Sequence, residues 1–96
     1  MRPGARLDLL DAAGAGNGAA KTWFGGTGTL IAEGTFDSAE VVLQIQSPAG
    51  TWLDTTARLS AIGAVSVAVP PGQVRAVVTG GVTPSGISAW LVVTGS

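Results

Sequence analysis

Residues 40–46 (EVVLQIQ) alternate apolar and polar side chains. Val41, Leu43 and Ile45 share one side, and Val42, Gln44 and Gln46 share the other. A period of two is that of an extended strand with one face on a core and one face at least partly wet. Residues 47–50 (SPAG) follow, with proline and glycine at the second and fourth positions of a type I turn. Residues 51–56 (TWLDTT) then return, which predicts a β-hairpin. Residues 64–69 (AVSVAV) alternate again, with Val65, Val67 and Val69 on one side, and Pro70-Pro71-Gly72 ends them. Proline has no N–H to give a ladder, so it belongs at a strand end.

Residues 73–79 (QVRAVVT) set Val74, Ala76 and Val78 against Arg75, Val77 and Thr79. After a loop over residues 80–86, residues 87–94 (ISAWLVVT) set Ile87, Ala89, Leu91 and Val93 against Ser88, Trp90, Val92 and Thr94. Upstream, residues 27–34 (TGTLIAEG) read as a strand with mixed alternation, entered from Trp23-Phe24 through the Gly25-Gly26 turn. Residues 6–11 read as a short edge segment. Residues 12–20 (AAGAGNGAA) read as a loop, because three glycines there cost a helix roughly 1 kcal/mol each. The fold expected is all-β, a single antiparallel β-sandwich or barrel of about six or seven short strands. The organisation expected is a Gly/Ala-rich N-terminal arm or edge segment over residues 1–22 and a sandwich domain over residues 23–96.

Composition narrows the chemistry. A chain of 96 residues is one domain. Charged residues make up 11%, against the ~25% usual for globular proteins. The surface must then be largely Thr, Ser, Gly, Ala and Gln. Such a surface is either covered in part by other protein or simply uncharged. Net charge is −1 and the basic residues Arg2, Arg6, Lys21, Arg58 and Arg75 are scattered. A nucleic-acid binder needs them clustered. No stretch reaches the ~18 apolar residues of a membrane helix. The N-terminus lacks the apolar run of a signal peptide.

The chain has no histidine and no cysteine. Serine hydrolysis therefore lacks its usual base, and Lys21, the sole lysine, has no serine placed beside it by the sequence. A thiolate metal site and a disulfide framework are excluded. Asp37 and Glu40 bracket a turn without the spacing of a calcium loop. Gly25-Gly26-Thr27-Gly28 lacks the ending and the helix of a phosphate loop. The expectation is a non-enzymatic protein with no cofactor and no metal.

Candidate functional residues are then those that make surface. Trp90 lies opposite the Ile87/Leu91/Val93 face. It points outward as an interface anchor if that face is core, or packs in a second core if both faces are covered. Trp52 caps the sandwich end, stacks on a sugar, or packs in the core. Arg75 reaches solvent or pairs with Glu33, Asp54 or a neighbouring subunit's carboxylate, since buried arginine is rare without a partner. Leu7, Leu9 and Leu10 make the N-terminal segment a candidate for adding a strand to another chain's sheet.

Several segments resemble, as a set, a known group of proteins. They are Trp23-Phe24-Gly25-Gly26, Glu33-Gly34-Thr35-Phe36, residues 41–46 leading through Ser47-Pro48-Ala49-Gly50 to Thr51-Trp52, residues 70–76 (PPGQVRA), and Ile87-Ser88-Ala89. The whole resembles small β-sandwich proteins encoded among the head genes of tailed bacteriophages and related virus-like particles. The resemblance implies a capsid decoration (cement) or minor virion protein, made in the host cytoplasm and carried on the capsid surface. It implies a partner in the major capsid protein lattice, and a homo-oligomer, with trimers suiting local threefold positions. It brings no catalytic motif, so no functional residue transfers. An alternative of another class is a carbohydrate- or receptor-binding module of a virion, with Trp52 or Trp90 as a stacking platform.

Overall fold

The computed structural model describes residues 6–14, 16–81 and 84–93. These residues form nine strands: β1 (Arg6–Ala13), β2 (Gly16–Asn17), β3 (Lys21–Trp23), β4 (Gly26–Thr35), β5 (Ala39–Gln46), β6 (Trp52–Leu59), β7 (Gly63–Val69), β8 (Gly72–Gly80) and β9 (Ser85–Val93). They pair throughout as antiparallel neighbours in two sheets. One sheet runs β1-β9-β4-β7. The other runs β2-β8-β5-β6, with β3 continuing β2 along the same edge of β8. The sandwich expected from the alternating pattern is the structure found.

The order has a simple origin. The 47–50 turn forms as expected, the Gly50 N–H donating to the Ser47 carbonyl at 2.8 Å. It sits at the middle of every outer pairing. Gln46 faces Trp52, Leu30 faces Val65, Lys21 faces Val74 and Leu7 faces Leu91. The chain is one long antiparallel fold-back, rolled so that successive pairs fall alternately in the two sheets. With β2 and β3 counted as one interrupted strand, this is the eight-stranded jelly-roll arrangement of two Greek keys.

The alternating residues fill the space between the sheets. Leu30 and Ala32 of β4, Val41 and Leu43 of β5, Val74 and Ala76 of β8, and Ile87, Ala89 and Leu91 of β9 are buried. Among the described residues no polar or charged side chain is buried. Trp23 is the largest core side chain, 1% exposed. It belongs to the β3–β8 edge, yet its indole N–H donates to the Val69 carbonyl of β7, in the opposite sheet, at 3.1 Å. A buried indole N–H needs such a partner. Gly28 of β4 leaves room for it, since a Cβ there would stand 3.1 Å from the Trp23 ring and 3.0 Å from Leu91.

The edge segment expected over residues 6–11 is strand β1, at the edge of its sheet. From Arg6 the chain is built into the sandwich rather than standing off as an arm. β1 pairs with β9, and its register slips between Asp8 and Leu10. The slip accompanies the inward burial of two successive residues, Leu9 and Leu10, at 3% and 6% exposure. The Gly/Ala run then crosses to the other sheet and pairs with β8. Its glycines serve close approach. The Gly18 N–H donates to the Ala76 carbonyl at 2.7 Å, and a Cβ on Gly18 would lie 2.5 Å from the Leu9 carbonyl oxygen. Residues 1–5 of the expected N-terminal segment, Val82 and Thr83 of the expected 80–86 loop, and Thr94 of the expected last strand lie outside the described residues.

Trp23 ties the two sheets, so its loss acts on the whole fold. Trp23→Phe keeps most of the apolar surface but strands the Val69 carbonyl, and we expect a loss of about 1–3 kcal/mol. Trp23→Ala leaves a cavity as well and is expected to cost about 3–5 kcal/mol. Urea unfolding followed by circular dichroism measures both. Equal stability of Trp23→Phe and the parent chain would show that the hydrogen bond contributes nothing.

Candidate partner-binding surfaces

The register fixes what each outer face presents, because residues directly opposite share a face. On the β1-β9-β4-β7 sheet one row runs Asp8, Trp90, Ile31, Ala64, and the next runs Arg6, Val92, Thr29, Ser66. Glu33 with Ser88, and Thr27 with Ala68, complete the face. Trp90 points outward, so the second-core placement does not hold in this chain. Trp90, Ile31 and Val92 are each half-buried. At the β1 edge Arg6 and Asp8 approach at 3.5 Å, both well exposed, and Glu33 of β4 is exposed on the same face. Such an exposed pair is worth little. The β7 side of the face carries only Ala64, Ser66 and Ala68.

The opposite outer face is organised differently. Arg75, Gln44 and Asp54 stand in register across β8, β5 and β6. The Arg75 Nε–H donates to Gln44 Oε1 at 2.8 Å, and Gln44 Nε2 donates to Asp54 Oδ1 at 2.7 Å. The Arg75 guanidinium lies over the Trp52 ring, 4.3 Å from its centroid. Beside this row, Arg58 pairs with Glu40 at 3.1 Å. Gln73 Nε2 donates to Thr22 Oγ1 at 2.9 Å. Val42 and Val77, opposite each other on this face, are 4% and 7% exposed. The polar groups of the face bond mainly to one another.

These contacts correct three expectations. Arg75 meets no carboxylate directly. Asp54 is two strands away and is reached through Gln44, while Glu33 lies on the other sheet. Trp52 is not a core residue, because its register partner is Gln46 on the outward face. Leu9 and Leu10 are core and unavailable to a partner, and Leu7 is half-buried against that core. Asp37 sits exposed in the two-residue turn between β4 and β5, at φ 48°, and Glu40 is engaged by Arg58.

A third surface was not foreseen. At the end of the sandwich that holds the 47–50 turn, Ile45, Pro48, Leu53, Pro70 and Pro71 line a shallow, mostly apolar hollow. Leu53 is 47% exposed, and Phe24, just beyond β3, is 66% exposed. The signal lay in the turns. Once the chain is folded back about residues 47–50, the Pro48 and Pro70-Pro71 turns fall at the same end.

Among the described residues no three acidic side chains come together to hold a metal ion, and no helix is long and apolar enough to cross a membrane. Set against protein-family models, curated proteins and solved structures, the chain has no match in any of the three.

The Trp52–Arg75 stack is open to direct measurement. A double-mutant cycle of Trp52→Ala and Arg75→Ala should give a coupling of about 0.5–1 kcal/mol, as for a partly exposed cation–π contact. It should survive high salt better than the Arg58–Glu40 pair does. Strict additivity of the two single variants in urea unfolding would remove the stack from the account.

Proposed function

We propose that this protein is a non-enzymatic virion structural protein that binds the assembled capsid and stabilises it, with the outer face of the β1-β9-β4-β7 sheet as its docking surface. The observation that carries the choice of surface is Trp90. It sits outward beside Ile31 and Val92, on a face that carries charges at Arg6 and Asp8 on the β1 edge and at Glu33 on β4. Aromatic anchors of this kind concentrate binding energy at interfaces. The other outer face has its polar groups bonded within the sheet and offers a partner less.

The virion assignment is supported by the resemblance carried from Trp23 onward and by the charge-poor surface. Jelly rolls serve in viral capsid domains, and equally in lectins and cupins, so the architecture by itself does not choose among them. The mechanism is one of area. A protein that binds the assembled lattice and not its dissociated subunits stabilises the lattice by mass action. Many weak contacts on one particle add through avidity. The glycan-platform reading draws less support, because Arg75 covers one face of the Trp52 ring.

Cosedimentation tests the proposal. The purified protein is mixed with shells assembled from the major capsid protein of the same virion, with dissociated subunits and glycan-coated beads as controls. Saturable binding to shells alone is expected, and Trp90→Ala should weaken it at least tenfold, the usual scale of an interface anchor. Retention on glycan beads with no binding to shells would overturn the proposal.

A further inference from the structure

The sandwich has four exposed strand edges, and they are not alike. An open edge offers unpaired N–H and C=O groups to any passing strand, and natural sheets blunt it with charges, bulges or short length. β1 carries Arg6, Asp8 and Asp11 and two register shifts against β9. β6 carries Asp54 and Arg58 and a shift against β5. The β2/β3 edge is short, interrupted and holds Lys21. β7 has none of these devices. It reads GAVSVAV, with no charge and no proline, and pairs with β4 residue for residue over seven positions without a shift. Its other side has no strand partner among the described residues.

The sequence of β7 is also self-complementary. Residues 64–68 read Ala-Val-Ser-Val-Ala, the same in both directions about Ser66. Val65 and Val67 face inward and are only partly buried, while Ala64, Ser66 and Ala68 face outward, exposed and small.

We propose that β7 pairs antiparallel with β7 of a second copy of this chain, about a two-fold axis through Ser66. Val65 then lies opposite the partner's Val67, and Ala64 opposite the partner's Ala68. Residues facing each other match in both size and side of the sheet, as an isologous contact requires. A slip by one residue would set inward valines against outward alanines and serine, so the period of two rejects it. The pairing completes the cover of Val65 and Val67. It also joins two four-stranded sheets into one of eight. Because the axis is perpendicular to the sheet, both Trp90 faces come to lie on the same side. The pairing is two-fold, unlike the trimer that the resemblance implies. It rests on β7 alone and stands whether or not the partner is a capsid.

One short strand pair buries little area, so the dimer is expected to be weak and concentration-dependent. The test uses the full chain, which contains no cysteine. Sedimentation velocity over a concentration series should show the mass rising to that of a dimer and no further. Ser66→Lys sets two like charges opposite each other and should return the protein to monomer, with circular dichroism and unfolding midpoint unchanged. Directly opposed residues of antiparallel strands lie within disulfide reach. Ser66→Cys should therefore oxidise to a covalent dimer at least tenfold faster than Ala49→Cys, in the exposed hairpin turn. A monomer at every concentration with equal oxidation rates, a dimer indifferent to Ser66→Lys, or growth beyond the dimer would each overturn the proposal.

Discussion

Each strand of the first half of this chain pairs with a strand of the second half at the same distance from the 47–50 turn. That one constraint organises the molecule. It sets β1 beside β9, β3 beside β8, β4 beside β7 and β5 beside β6. Rolling the folded chain then adds the contacts of β4 with β9 and of β5 with β8. Most contacts are long-range, so loop-closure entropy is met before the pairings form. A jelly roll of this kind belongs with the slow-folding topologies.

A rolled fold-back needs its two sheets held together as well as its strands paired. Apolar alternation does most of this through Leu30, Leu43, Val74, Ile87 and Leu91. Trp23 adds the directional contact, reaching from the edge of one sheet to a carbonyl of the other. Small residues make the close approaches. Gly28 leaves space for the indole, and Gly18 lets the crossing segment lie against β1. The glycine-rich composition that first reads as looseness is here the condition for tight packing.

The regular strands were legible because their period of two is written in the residues. Residues 40–46, 64–69 and 73–79 and the inward face of β9 needed no tertiary information, and neither did the 47–50 turn. The pairing of Gly16–Asn17 and Gly18 with β8 was illegible for a physical reason. Alanine and glycine carry too little hydrophobic contrast to reveal a face, and Gly18 is fixed by Ala76, a neighbour 58 residues away, and by the Leu9 carbonyl it lies against. The tryptophans show the same limit. Trp23 and Trp52 both sit beside turns, where alternation is weak, and their core and surface roles emerge only from register. Trp90, inside a clean alternating strand, could be set opposite the Ile87/Leu91/Val93 face, but whether a second layer covers it emerges only from the fold. The acid expected for Arg75 was instead a glutamine, because register and not charge decides who stands opposite.

The two outer faces divide the labour. One closes its polar groups into rows, Arg75–Gln44–Asp54 and Arg58–Glu40, over two shielded valines. The other leaves Trp90, Ile31 and Val92 half-covered on a surface poor in charge. We propose that this second face is where the partner sits. Hydroxyl-radical footprinting of the protein, free and bound to assembled shells, tests it most directly. Strong oxidation of Trp90 is expected in the free protein, with its suppression on the shell and little oxidation of the buried Trp23 in either state. Equal oxidation of Trp90 free and bound would contradict it.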